Sequence, residues 1–114
     1  MASYSKVNFS ESVDGLPVKA VQTASPGTLV HTAHATAKDE VWLYAYNGHT
    51  ADVVLTVEYG GAVVPDQNII ITIPTKAGLT LIIPGLLLTN SRTIRAFAAT
   101  ANVITLSGYV NRIS

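Results

Sequence analysis

Three histidines are the residues with the most evident capacity for chemistry in this chain of 114 residues. His31 and His34 are three positions apart in a segment with strand character, so their side chains are expected on opposite faces. They cannot share a metal ion within that strand. His49 lies in a turn, where a lone ligand makes a weak site. We therefore expect exposed or hydrogen-bonded histidines and no metal site.

Carboxylates are the other candidates for acid–base or hydrolytic chemistry. The seven acids are scattered along the chain, and the adjacent pair Asp39-Glu40 is most simply a solvated strand entrance. Hydrolysis by paired carboxylates needs two acids that converge in a cleft. The sequence contains no GxSxG, no HExxH, no phosphate-binding glycine loop and no cysteine. It therefore predicts neither an enzyme nor a cofactor.

One constellation has the types needed for binding a ligand. In the stretch EVWLYAYN, the rings of Trp42, Tyr44 and Tyr46 alternate with Val41, Leu43 and Ala45, so they share one face of a strand. Sugars stack on such aromatic faces, which makes a carbohydrate-binding module one interpretation. The alternative is that the rings belong to the core between two sheets or to the wall of a subunit interface.

Short segments rich in Val, Ile, Thr and Tyr position these residues, with turn residues between them. The expected strands are 18–23, 28–36, 40–46, 52–59, 68–74, 79–84, 93–99 and 102–111. Residues 1–16 are expected to form an irregular polar arm, and residues 17–114 a β-sandwich domain. Eight strands at this spacing predict an all-β, single-domain sandwich of jelly-roll or immunoglobulin-like type.

The chain carries more apolar residues than a single small core can cover. Charged residues make up 12% and apolar residues 48%, whereas about 25% charged is usual. The strands at 69–73 and 79–83 have apolar residues on both faces, and three leucines follow at 86–88. Those leucines either plug the core or meet another subunit, and we favour a permanent interface. Its predicted members are Ile69, Ile71, Ile73, Leu81, Ile83, Leu86, Leu87 and Leu88.

Global charge and the first residues bear on partners and location. The formal net charge is zero, so no basic field favours nucleic acid. The stretch 68–88 is interrupted by two prolines, two glycines and a lysine, which argues against a membrane helix. The polar N-terminus lacks the apolar run of a signal peptide, so synthesis in the cytoplasm is expected.

A family resemblance joins several of these stretches. The segments DEVWLYAYN, IPTKAGLTLIIPG and TIRAFAATANVITLSGYVNRI, with the GG turn between the first two, resemble small virion proteins of tailed phages over residues 5–113. The resemblance implies a head decoration or cement protein, whose subunits form trimers on the lattice of the major capsid protein. A tail, neck or adaptor protein is the alternative within the virion.

The resemblance also raises the question of which residues would face a capsid. Residues 3–9 of the arm could dock through Tyr4 and Phe9 as aromatic anchors. Three arginines, Arg92, Arg95 and Arg112, could serve as hydrogen-bonding partners. The alternative for the arm is disorder.

Overall fold

The computed structural model describes residues 3–114, which form nine β-strands in two antiparallel sheets. The prediction of an all-β, single-domain β-sandwich is confirmed. The strands are β1 Tyr4–Asn8, β2 Val18–Lys19, β3 Thr28–Thr32, β4 Lys38–Asn47, β5 Val53–Tyr59, β6 Asn68–Ile73, β7 Thr80–Leu88, β8 Thr93–Ala98 and β9 Ile104–Ile113.

The strands pair in a nested manner: β1 with β9, β3 with β8, β4 with β7, and β5 with β6. Sheet A has the order β1-β9-β4-β7, with the short β2 also beside β9, and sheet B has the order β3-β8-β5-β6. One long hairpin rolled into two sheets gives this order, which defines a jelly roll. Of the two sandwich types expected from the sequence, the topology is not that of immunoglobulin domains.

Period-two alternation places the core between the sheets. On β9, Ile104, Leu106 and Val110 are buried, whereas the residues between them are partly exposed. On β4, the inward residues Val41, Leu43 and Ala45 are fully buried. The sequence pattern predicted the inward face of β9, and on β4 it predicted the alternation but left open which face is inward.

The N-terminal segment is not an irregular arm, because β1 pairs with β9 from Tyr4 opposite Ile113 to Asn8 opposite Tyr109. The prediction for residues 1–16 is wrong over this range, and Met1 and Ala2 lie outside the described residues. The stretch YSKVN has no apolar alternation, since only Val7 packs against the core. Backbone pairing at a sheet edge requires no such pattern.

Strand β7 continues through Pro84 and Gly85 to Leu88, four residues past the predicted end at Pro84. As an edge strand, β7 pairs on one side with β4, so the missing N–H of Pro84 is tolerated. The register to β4 shifts between the partners of Val41 and Trp42, which marks a bulge at Gly85. Gly85 has a φ of 88°, a conformation that favours glycine.

The turn predicted at residues 75–78 joins β6 to β7, and Gly78 adopts the expected positive φ of 78°. Within residues 3–114, no helix is long and apolar enough to cross a membrane.

Candidate functional site

One histidine and one acid, His31 and Asp39, meet with Arg112 in a buried network. His31 of β3 and Asp39 of β4 are both almost fully buried, with the His31 Nε2 to Asp39 Oδ2 distance at 2.7 Å. Arg112 of β9 donates to the two oxygens of Asp39 from Nε at 2.8 Å and from Nη2 at 3.0 Å. The expectation that Asp39 is a solvated strand entrance is therefore wrong. Its charge is paired inside the fold.

Hydrogen bonds determine the tautomer of His31. The backbone N–H of Ser10 donates to Nδ1 at 3.0 Å, so the ring proton lies on Nε2 and points at Asp39. Burial lowers the pKa of His31, outweighing the opposite influence of Asp39. Burial alone would raise the pKa of Asp39, but hydrogen bonds from Arg112 and His31 hold it below its usual range. The network joins three strands and the end of β1, and both nitrogens of His31 are engaged.

His49 is partly exposed, and the imidazole of His34 is used locally. His34 Nδ1 accepts hydrogen bonds from the backbone N–H groups of Thr36 and Ala37 at 3.0 and 2.9 Å. In the described chain, residues 3–114, no group of three or more metal-ligating side chains comes together.

The aromatic strip, defined here as Trp42, Tyr44 and Tyr46, lies on the outer face of sheet A. Its rings alternate with the buried Val41, Leu43 and Ala45, so the interpretation that they fill the core between the sheets is wrong. Each ring is partly exposed. The strip is a surface available to a ligand or a partner.

Two glycines hold Trp42 against the sheet. A Cβ on Gly85 of the neighbouring β7 would stand 3.0 Å from the indole ring, so the ring lies directly over this residue. A Cβ on Gly108 of β9 would overlap the backbone carbonyl of Trp42, which shows how closely the two strands approach. One face of the indole ring therefore rests on backbone.

Further groups surround Trp42 on the same face. The ring of Tyr109 on β9 is nearly parallel to it, with an interplanar angle of 20° and 6.5 Å between centroids. The Lys6 ammonium lies 4.7 Å from the Tyr109 centroid. Glu40 accepts hydrogen bonds from the Trp42 indole N–H at 2.8 Å and from Asn111 at 3.0 Å. These bonds, from Asn111 first, lower the pKa of Glu40 and keep it ionised.

The predicted subunit interface divides into buried and exposed members. Ile73, Ile83 and Leu88 are buried in the core, and Ile69 and Ile71 pack against it. The prediction is wrong for Ile73, Ile83 and Leu88, because they present almost no surface to another chain. The three isoleucines at 69, 71 and 73 form the inward face of β6, which is the more apolar of its two faces.

Other apolar side chains stay exposed at one flank. We define the apolar edge as Leu81, Leu86 and Leu87 of β7 together with Ile70 of β6, whose exposures lie between 43% and 63%. These are the outermost strands of the two sheets. Since β3 meets the end of β1 through His31 and Ser10, β6 and β7 share the opposite flank. Ile70 was absent from the predicted set, although its place on the second apolar face of β6 could have indicated it.

The predicted capsid-contact residues do not form one surface. Phe9 is 1% exposed and packs in the core beside His31, so its assignment as an outward anchor is wrong. Arg112 is engaged with Asp39. Tyr4 is exposed on the outer face of sheet A, opposite Ile113. Arg95 lies on the outer face of sheet B, where it donates to the Gly27 carbonyl at 3.1 Å. Arg92 is exposed beyond β7 and donates to the Gly60 carbonyl at 3.4 Å.

A small cleft of about 150 Å³ lies on sheet B, lined in part by Pro26, Glu58 and Arg95. Both carboxylate oxygens of the buried Glu58 are already used, by the Ser25 hydroxyl and the Gly27 N–H. The segment 25–27 thus covers Glu58 on the outer face of β5. Because both carboxylate oxygens are occupied, Glu58 has no free oxygen to present to a ligand in the cleft.

No protein-family model matches the sequence, and neither a curated protein nor a solved structure gives a significant match to the chain. The class that the geometry defines is a single jelly-roll sandwich with an aromatic outer face and an apolar edge.

Proposed function

We propose that this protein is a structural component of a tailed-phage virion, which binds the assembled head as a homo-oligomer and stabilises it. The apolar edge is the observation that supports this proposal. Fully exposing one leucine forgoes roughly 1.5–3 kcal/mol of burial free energy. Three partly exposed leucines on the edge strand β7 therefore favour a covering partner, and Ile70 adds an exposed apolar side chain on the outer face of sheet B.

The second argument is the composition. Permanent interfaces are depleted in charge and enriched in apolar side chains, and this chain has 12% charged residues. A second copy of the same chain can cover these apolar side chains, because in a closed symmetric oligomer each subunit packs against identical subunits. The phage assignment and the trimer rest on the sequence resemblance over residues 5–113, which names head decoration proteins as the class.

The mechanism follows from contact area. Packaged DNA presses outward on the shell and pushes its coat subunits apart. An oligomer that bridges neighbouring subunits adds contacts that must break before the shell opens. Several simultaneous contacts per oligomer raise the overall affinity without a strong single contact. Tyr4, Arg92 and Arg95 remain the predicted contacts to the capsid, on different faces of the sandwich.

The test is the oligomeric state of Leu86→Asp and Leu87→Asp variants. An aspartate at a buried interface carries an unpaired charge, so the expected product is a folded monomer of 12.0 kDa in light scattering. Val13→Asp is the matched control, because Val13 is also exposed but lies in the loop after β1. A monomeric wild-type protein at micromolar concentration would overturn the oligomer.

The virion assignment needs its own measurement. Mass spectrometry of purified phage particles is expected to find the chain in a copy number proportional to the coat protein. A few copies per particle would favour a tail, neck or adaptor position, and absence from particles would refute the assignment. Co-sedimentation with capsids is expected for the wild type and for Val13→Asp, and not for a monomeric Leu87→Asp variant.

A further inference from the structure

The outer face of sheet A collects most of the lysines of the chain. There are four lysines, Lys6, Lys19, Lys38 and Lys76. The pairing of β1, β2 and β4 with β9 places three of these lysines on the outer face. Lys6 lies opposite Asn111, Lys19 opposite Thr105, and Lys38 opposite Ile113. None of the three forms an ion pair within residues 3–114. On the outward positions of β1, β2, β4 and β9, Glu40 is the single carboxylate, so two net positive charges remain.

The lysines surround the aromatic strip. Lys6 lies on the β1 side, above Tyr109, and Lys19 lies near the Tyr46 end, since Thr105 pairs with both Lys19 and Tyr46. Lys38 precedes Glu40 and Trp42 on β4 itself. Between strands about 4.8 Å apart, such neighbours are within reach of a single extended ligand.

Hydroxyl and amide groups fill the space between the rings. Ser107 lies opposite Tyr44, and Thr105 opposite Tyr46, so hydroxyls alternate with ring faces across β9 and β4. Asn111 stands opposite Glu40, and Asn8 lies opposite Tyr109. Sugar rings have an apolar face and hydroxyl edges, and a surface of this composition can contact both.

We propose that the outer face of sheet A binds an acidic polysaccharide, a chain of hexose rings that carries carboxylates. The rings of Trp42, Tyr44 and Tyr109 stack against sugar faces, and the hydroxyl and amide groups bond to sugar hydroxyls. Lys6, Lys19 and Lys38 pair with the carboxylates. Glu40 holds the indole ring in place through its N–H. The positive charge of this face in a chain of zero net charge selects an anionic ligand.

Single-stranded nucleic acid also stacks on aromatic side chains, but it carries a phosphate on every nucleotide and is held by a strongly basic groove. Two net positive charges without an arginine are few for that purpose. The carboxylates of a polysaccharide are spaced by whole sugar rings, which suits three separated lysines. The observations therefore favour the polysaccharide.

The single tryptophan of the chain, Trp42, lies at the centre of the proposed site, so its fluorescence reports binding directly. The purified protein is titrated with polygalacturonate, alginate and hyaluronate at low salt. Binding is expected to shift the emission and to weaken as salt is added. Tyr44→Ala is expected to lower affinity roughly tenfold through lost stacking. Lys6→Gln is expected to lower it about threefold.

Arg95→Gln is the control, because it removes one positive charge from the outer face of sheet B, on the other side of the sandwich, and is expected to leave binding unchanged. An equal response to neutral dextran would overturn the selection for acid. A stronger response to oligo(dT) than to the polysaccharides would assign the face to nucleic acid. No response to any of the three acidic polysaccharides would refute the site. These titrations use the isolated protein, so their outcome is independent of whether the chain occurs in virions.

Discussion

Replacing Asp39 by alanine tests the buried network, and the expected cost follows from its contacts. Asp39 accepts hydrogen bonds from Arg112, from His31 and, at 3.3 Å, from the backbone N–H of His34. An unpaired buried donor such as the His31 N–H costs about 1–3 kcal/mol. Breaking a buried ion pair costs about 3–5 kcal/mol, and this figure is reduced because Arg112 is 26% exposed.

We therefore expect Asp39→Ala to lower the free energy of unfolding by about 3–4 kcal/mol, a large part of the ~5–15 kcal/mol typical of a domain. Urea unfolding followed by Trp42 fluorescence measures this loss of stability. Trp42 lies on the face of β4 opposite to Asp39, so the reporter is separate from the substituted side chain. The alanine variant of Arg112, alone and combined with Asp39→Ala, completes a double-mutant cycle. A coupling of about 1–3 kcal/mol is expected. Effects that add within about 0.5 kcal/mol would refute the reasoning.

Three further predictions concern pH and backbone conformation. Because the pKa of His31 is lowered in the fold, the unfolded chain binds the extra proton, and urea midpoints should fall as pH drops below 6.5, with a further loss below 3.8 as Asp39 protonates. A His31→Gln variant with the same slope below 6.5 would contradict this. Burial raises the pKa of Tyr59 to about 12, so stability should fall as pH rises above 10, and Tyr59→Phe should remove that loss in the same titration. Gly85→Ala should lower the free energy of unfolding by about 1–2 kcal/mol because the φ of Gly85 is positive, and the added Cβ should shift the emission of Trp42. Unchanged stability and emission would mean that the indole ring does not pack closely on Gly85.

The sandwich was predictable because its central strands alternate clearly between buried and exposed residues. On β9 the pattern indicated both the strand and its inward face, and on β4 it indicated the strand and which residues share a face. The strands expected at 18–23 and 28–36 are shorter, at Val18–Lys19 and Thr28–Thr32. Two further misjudged elements lie at the edges of sheet A. Strand β1 is mostly polar and held mainly by backbone pairing with β9, and β7 crosses Pro84 by a bulge. Local sequence carries little information about such edge pairing, because the partner strand is distant along the chain.

The candidate site was partly visible in the sequence. Alternation on β4 placed Trp42, Tyr44 and Tyr46 on one face, but it could not show whether that face was inside or outside. Phe9 was misplaced because a single aromatic residue in a polar stretch has no periodic neighbours to indicate its direction. The gathering of three lysines on sheet A depends on the pairing of β9 with β1, β2 and β4, which no local pattern specifies.

The nested pairing of the strands has a consequence for synthesis on the ribosome. The innermost pair, β5 with β6, is complete once residue 73 has emerged, whereas β1 must wait for β9, which ends at Ile113. Each inner pair shortens the loop that the next pair must close, so the strands can join in sequence from the inside outward. We expect β1 to remain unpaired until β9 has emerged from the ribosome. Such long-range pairing also makes folding slow compared with helical proteins of this size.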